Sequence, residues 1–187
     1  MACAPLNTAE TAIPDALPVM AWDHRPEAAD WTEATLAALQ TEGAPLLSEV
    51  PGDIGVWCPA YVEAGPAQRA AFWAGLLSAL ARFESTWNPQ AVGGGGRWFG
   101  LVQISPATAQ HYGCDADSGS ALTDGAANLT CAVEIASETV LRDGVVAAGG
   151  GLAADWGPFV SAEKRSQMRE WVSTQSYCEG PVAGMQG

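Results

Sequence analysis

Glu84 is a carboxylate in an unfavourable place. It follows the run Gln68-Arg69-Ala70-Ala71-Phe72-Trp73-Ala74-Gly75-Leu76-Leu77 and then Leu80-Ala81-Arg82-Phe83. The spacing of apolar residues in this run predicts a helix over about 66–86. At about 100° per residue, Trp73, Leu77 and Leu80 fall within roughly 40° of Glu84, whereas Gln68 and Arg82 point nearly the other way. An ionised carboxylate on an apolar stripe is costly, so burial favours the neutral acid and raises its pKa. That is the state a general acid needs near neutral pH. Two plainer readings stand beside it: Glu84 pairs with an arginine such as Arg97, or it turns out to solvent at a frayed helix end.

The neighbouring elements would have to bring this acid to a cleft. Pro66 suits a first helical turn, and Asn88-Pro89 pushes the chain out of the helix. A glycine-rich loop follows, Ala91-Val92-Gly93-Gly94-Gly95-Gly96-Arg97-Trp98-Phe99-Gly100-Leu101-Val102-Gln103-Ile104. It lacks the Gly-Lys-Ser/Thr of a phosphate cradle and follows a helix rather than a strand. Ser105 as N-cap with Pro106 behind it starts a short helix that Gly113 ends. Thr123-Asp124 starts another, with Leu129, Val133, Ala136 and Val140 on one face, ending near Gly144. Residues 144–160 read as a loop holding Asp155 and Trp156. Ser161 caps a last helix over about 162–174, with Met168, Trp171 and Val172 inward. Upstream, Asp30 and Glu33 read as a capping box for a helix to about Thr41, closed by Gly43. Residues 43–65, with Pro45, Pro51, Gly52, Gly55 and Pro59, read as a loop. No repeat and no β-alternation emerge, beyond a short hairpin within 92–102.

Eight Lys and Arg against 21 Asp and Glu give a formal charge of −13. That argues against nucleic acid, which calls for a basic footprint, and against electrostatic attachment to anionic lipid. No apolar run reaches the length of a membrane span. Eight tryptophans are many for 187 residues; their faces suit sugar rings as well as a core. The five cysteines, Cys3, Cys58, Cys114, Cys131 and Cys178, include no CxxC pair, which argues against zinc and redox motifs. Two disulfides and one odd thiol are expected, which implies an oxidising compartment. Topology favours Cys114–Cys131, closing a loop with little core of its own, and Cys58–Cys178, tying the C-terminus to the acid-bearing half. Residues 1–29 read as an extended Pro/Ala-rich arm. Met1-Ala2-Cys3-Ala4-Pro5 resembles the lipidation junction of a bacterial lipoprotein, with Cys3 as the lipidated residue.

In combination, Glu84-Ser85-x-Trp87-Asn88-Pro89, Gly100-Leu101-Val102-Gln103-Ile104-x-Pro106-x-Thr108-Ala109, Tyr112-Gly113 and Asn128-Leu129 resemble the soluble lytic transglycosylase (SLT) domain. This family lies in the lysozyme superfamily and is related to goose-type lysozymes. The match is strongest over 66–160. It implies a mainly α, α+β lysozyme-like fold: one helical catalytic domain over 30–187 with at most a short hairpin, behind the N-terminal arm. It also implies cleavage of the β-1,4 bond between N-acetylmuramic acid and N-acetylglucosamine in peptidoglycan. Glu84 matches the single catalytic acid. Gly100, Leu101 and Gln103 match the loop that lines the sugar cleft, with Val102 where the family usually has Met. Gly93 stands where many members have serine. The family's late Ala-Tyr-Asn-Ala-Gly motif corresponds to Ala153-Ala154-Asp155-Trp156-Gly157, without its tyrosine and asparagine.

The implied chemistry is a transfer without water. Glu84 protonates the bridging oxygen and then takes the proton of the muramic 6-hydroxyl, which closes on C1 to give a 1,6-anhydro sugar. Ser85, Trp98, Tyr112, Asp155 and Trp156 join the loop residues as candidates for substrate contact; Trp87 and Phe99 are further candidates for sugar stacking. Core packing is the alternative for each aromatic. A hydrolytic lysozyme would need a second carboxylate, for which Asp155 is the candidate. A glycan-binding protein that has lost turnover is a third reading. No cofactor or metal is called for. Peptidoglycan strands are the expected partner, the periplasm or cell envelope the expected location, and a monomer the expected state.

Overall fold

A computed structural model describes residues 17–179. Cys3 and the first part of the arm lie outside the described residues. The helix that carries Glu84 is the axis of the domain. We call it α3, Pro66–Ser85, preceded by α1, Ala28–Gln40, and α2, Ala44–Ser48. A two-stranded hairpin, β1 Val92–Gly93 and β2 Trp98–Phe99, follows. Then come α4, Pro106–Tyr112; α5, Gly119–Leu122; α6, Gly125–Asp143; α7, Gly157–Val160; and α8, Ala162–Ser173. This is the mainly helical, lysozyme-like architecture expected, with the hairpin as its only sheet among the described residues.

Helix α3 is more deeply set than a single apolar stripe requires. Every residue from Ala70 to Ala81 is buried, as in a helix that is enclosed on all sides. It packs against α1, α2, α7 and α8, while α6 holds the other half of the core against α1, α2, α4 and α5. Gly75 makes one of these approaches workable, because a Cβ there would strike the Tyr177 hydroxyl. That hydroxyl donates to the Val19 carbonyl at 3.2 Å, so the two ends of the described residues clasp the middle of α3. The disulfides are Cys58–Cys178 and Cys114–Cys131. The first closes the same clasp across 120 residues; the second ties the end of α4 to the first turns of α6 across 17.

Several local expectations give way to packing. Asp30 does not cap α1: the helix starts earlier, at Ala28, and Asp30 sits in its first turn, where a carboxylate still suits the helix dipole. The earlier start follows from turns that lead in through Trp22, whose indole donates to Thr32 Oγ1 at 2.9 Å inside the core. Residues 17–27 are accordingly not an extended arm; Met20 and Trp22 are buried. Residues 43–65 contain α2, with Pro45 in its first turn, and a 3-10 turn at Ile54–Val56. The 144–160 loop contains a 3-10 turn, Gly151–Ala154, and α7. Helix α3 ends before Asn88-Pro89: Thr86 and Trp87 both adopt positive φ, at 53° and 56°. Among the described residues no helix is long and apolar enough to cross a membrane.

Candidate active site

Glu84 reaches the last turn of α3 half-buried, and burial pushes its carboxyl up from 4.5 to about 7, opposed by the positive charge of Lys164. It makes no hydrogen bond or ion pair with the described residues. Arg97, the partner considered from sequence, instead donates its Nε to the Gly94 carbonyl at 2.9 Å. Lys164 comes from the start of α8, with its ammonium 5.9 Å from the Phe83 ring centroid. Glu84 is therefore a carboxylic acid that can be neutral or ionised near neutral pH, as a group that first gives and then takes a proton must be.

The residues after Glu84 hold the facing loop. Ser85 Oγ donates to the Leu101 carbonyl at 2.7 Å, and accepts from the Asn88 amide at 3.2 Å. This fastens the Gly100–Ile104 loop directly to the acid-bearing turn. Asn128 of α6 fastens it from behind. The side chain is fully buried; its Oδ1 accepts from Val102 N at 3.0 Å, and its Nδ2 donates to the Phe99 and Leu122 carbonyls at 3.1 Å each. Gly100 is required at the centre: its φ is +81°, and a Cβ would strike Leu122 O and Asn128. Gln103 has φ 52° and braces the hairpin, donating to Ala91 O at 3.2 Å and Gly100 O at 2.9 Å. All three non-glycine residues with positive φ in the described chain, Thr86, Trp87 and Gln103, flank the acid or its facing loop. Such conformations persist where surrounding contacts over-determine them, and they cluster at functional sites.

The sequence candidates separate into two groups. Ser85, Gly100, Leu101, Val102 and Gln103 come together beside Glu84, although the Leu101 and Val102 side chains are fully buried. These two support the loop, and their backbone groups are taken up by Ser85, Asn128 and Trp156. Trp156 is 3% exposed, and its indole donates to Val102 O at 2.8 Å. It is a core residue that pins the loop, not a stacking platform. Trp87 donates to Ser78 O at 2.9 Å and meets His24 edge-on at 4.5 Å, away from the loop. Phe99 packs against Gly119. Trp98 is 43% exposed and carries the Arg97 guanidinium over its ring. Asp155 is exposed and accepts a hydrogen bond from the Tyr112 hydroxyl at 3.0 Å. Burial and the Asp155 carboxylate together push the Tyr112 phenol up to about 12, so it serves Asp155 as a donor. Sequence reasoning had no role for Asn128 beyond its place in a motif, and none for Lys164. Asn128 announced itself only by preceding Leu129 on the buried face of α6.

Two cavities, of about 240 and 160 Å³, lie elsewhere: one beside Trp57 and Arg169, the other between Arg82, Trp87 and Trp171. Glu84 lines neither. No cluster of His, Cys, Asp or Glu suited to a metal occurs among the described residues.

Residues 62–147 match the family model of the transglycosylase SLT domain. Among solved structures, the chain is similar to Bd0314 DslA in its wild-type form 2, at 28% identity and a TM-score of 0.80, covering 88% of this chain and 100% of that one. Two Glu-to-Gln mutants of DslA match equally in identity and coverage, with TM-scores of 0.80 and 0.78. No curated protein matches the chain.

Proposed function

Because residues 62–147 match the transglycosylase SLT domain, we propose that this protein is a peptidoglycan lytic transglycosylase. In this reading Glu84 is the sole acid and base, cleaving between N-acetylmuramic acid and N-acetylglucosamine. The observation that carries the reading is the state of Glu84: buried enough to stay protonated to about pH 7, without a fixed partner, and backed by the Ser85–Leu101 link. Neutral Glu84 gives its proton to the glycosidic oxygen as the bond to C1 breaks. The carboxylate then removes the proton of the muramic 6-hydroxyl, whose oxygen bonds to C1. Water is neither consumed nor released, and Glu84 ends protonated as it began. One carboxyl group suffices because the substrate supplies the nucleophile, where most glycosidases use a second carboxylate.

The hydrolytic alternative would route a water through Asp155. Tyr112 donates to one oxygen of that carboxylate, Oδ2, and leaves Oδ1 open to a water. Two disulfides suit an oxidising compartment, so action in the periplasm or cell envelope follows from the substrate and the cysteines together. Mass spectrometry of digested peptidoglycan separates the readings. Anhydro-muramic ends are expected; reducing ends would establish a lysozyme, and intact strands a glycan-binding protein.

A further inference from the structure

Arg97 and Trp98 stand together on the hairpin that leads into the loop fastened to Ser85. The Arg97 guanidinium lies over the Trp98 ring, 4.9 Å from its centroid. Its Nε donates to Gly94 O at 2.9 Å, and its two terminal nitrogens make no hydrogen bond to the described residues. Both residues are exposed, and Arg97 makes no ion pair among the described residues. Stacking on an aromatic face and fixing one edge pre-orients the guanidinium fork, so the remaining edge can take a carboxylate in two parallel hydrogen bonds.

The other basic residues of the matched domain are engaged differently. Arg69 donates to the carbonyls of Leu47, Tyr61, Val62 and Ala64. Arg142 is held by Asp143, and Arg82 stacks on Phe83 beside a separate cavity. Between residues 83 and 141 the sequence offers no cation except Arg97. The hairpin places it close to the chemistry. Gly93 pairs with Trp98 and Val92 with Phe99, and Gln103 ties β1 to the loop that Ser85 holds. Arg97 is four residues from Leu101, so it lies at most about 14 Å from the Ser85 anchor at extended-chain reach.

A chain of net charge −13 repels a polyanionic substrate. Peptidoglycan sugars carry no charge of their own once acylated, whereas the peptide stems on muramic residues carry carboxylates. We propose that Arg97, oriented by Trp98, binds a stem-peptide carboxylate and makes the enzyme select glycan strands whose stems carry free carboxylates. The inference rests on the peptidoglycan reading of the Glu84 site.

The test compares kcat/KM on strands with free stem carboxylates with kcat/KM on the same strands after those carboxylates are capped as amides, since stripping the stems would uncover a lactyl carboxylate on each muramic residue. Wild type should prefer the uncapped strands. Arg97→Gln should lower kcat/KM on them about tenfold, mainly through KM, and leave capped strands unchanged. Arg97→Lys should recover only part, because an ammonium cannot offer the two-pronged contact. An equal loss on both substrates, or no loss on either, would overturn the assignment while leaving the lytic activity standing. A wild-type protein that cleaves neither substrate would instead overturn the functional reading, and this inference with it.

Discussion

Replacing Glu84 by glutamine should make the protein inactive and, above neutral pH, more stable. The two effects share one cause. In the unfolded chain the carboxyl titrates at its ordinary 4.5, whereas in the folded protein burial holds the proton until about 7. Below pH 4.5 both states are protonated and Glu84 contributes no pH dependence. Between 4.5 and 7 the folded state binds more protons than the unfolded state, so stability falls as pH rises. Above 7 the full penalty of an ionised, half-buried carboxylate remains. At about 1.4 kcal/mol per pH unit the interval bounds the penalty at about 3 kcal/mol, and partial exposure discounts it to about 1–2 kcal/mol. Glu84→Gln removes the ionisation altogether. For a domain of this size its melting temperature should match wild type near pH 4 and exceed it by about 2–8 °C above pH 7.5. Circular-dichroism melts of both proteins across pH 4–9, with disulfides intact, measure this directly. Lytic activity on purified peptidoglycan should fall by about 10²–10⁴-fold in the same variant. A melting difference independent of pH, or a mutant less stable at pH 8, would refute the burial argument. Turbidity clearance at the wild-type rate would refute the catalytic assignment.

Other perturbations address the groups around the acid. Activity should decline above about pH 7, and Lys164→Met should move that alkaline limb upward, because the ammonium favours the ionised carboxylate; a pH–rate profile unchanged in the variant would remove Lys164 from the site. Asn128→Ala should destabilise the protein by about 2–4 kcal/mol, by leaving Val102 N and two carbonyls without their partner, and should lower kcat; chemical denaturation and initial rates check both. Asp155→Asn should retain most activity and yield anhydro ends, whereas loss equal to that of Glu84→Gln would favour the hydrolytic route. Removing Cys58–Cys178 by paired serine substitution should cost about 2–5 kcal/mol and more than removing Cys114–Cys131, since it closes the longer loop; calorimetry of the two variants orders them.

Much of this site was legible in one dimension. The α3 periodicity placed Glu84 on the face of Trp73, Leu77 and Leu80, and Ser105, Asp124 and Ser161 cap their helices as their types foretell. Both disulfides are the pairings that the ends of the helices favoured among the three possible connectivities. These features depend on local preference, on the 3.6-residue period and on turn chemistry, all written within a few neighbouring residues. The failures share a different origin. Asp30 looked like a cap because its neighbours permit one, but packing of Trp22 and Thr32 set the helix start elsewhere. Trp156 looked like a sugar platform because indoles often are, yet its ring is turned inward to Val102 across 54 residues.

What tertiary structure alone decided is the electrostatic and hydrogen-bonded setting of the acid. The degree of burial of Glu84, the charge of Lys164 arriving from α8, and the engagement of Asp155 by Tyr112 across 43 residues depend on how distant segments meet. A sequence specifies which groups can ionise or donate. Their distances, and the water displaced between them, exist only after the chain has closed on itself, and protonation and hydrogen bonding respond to those distances.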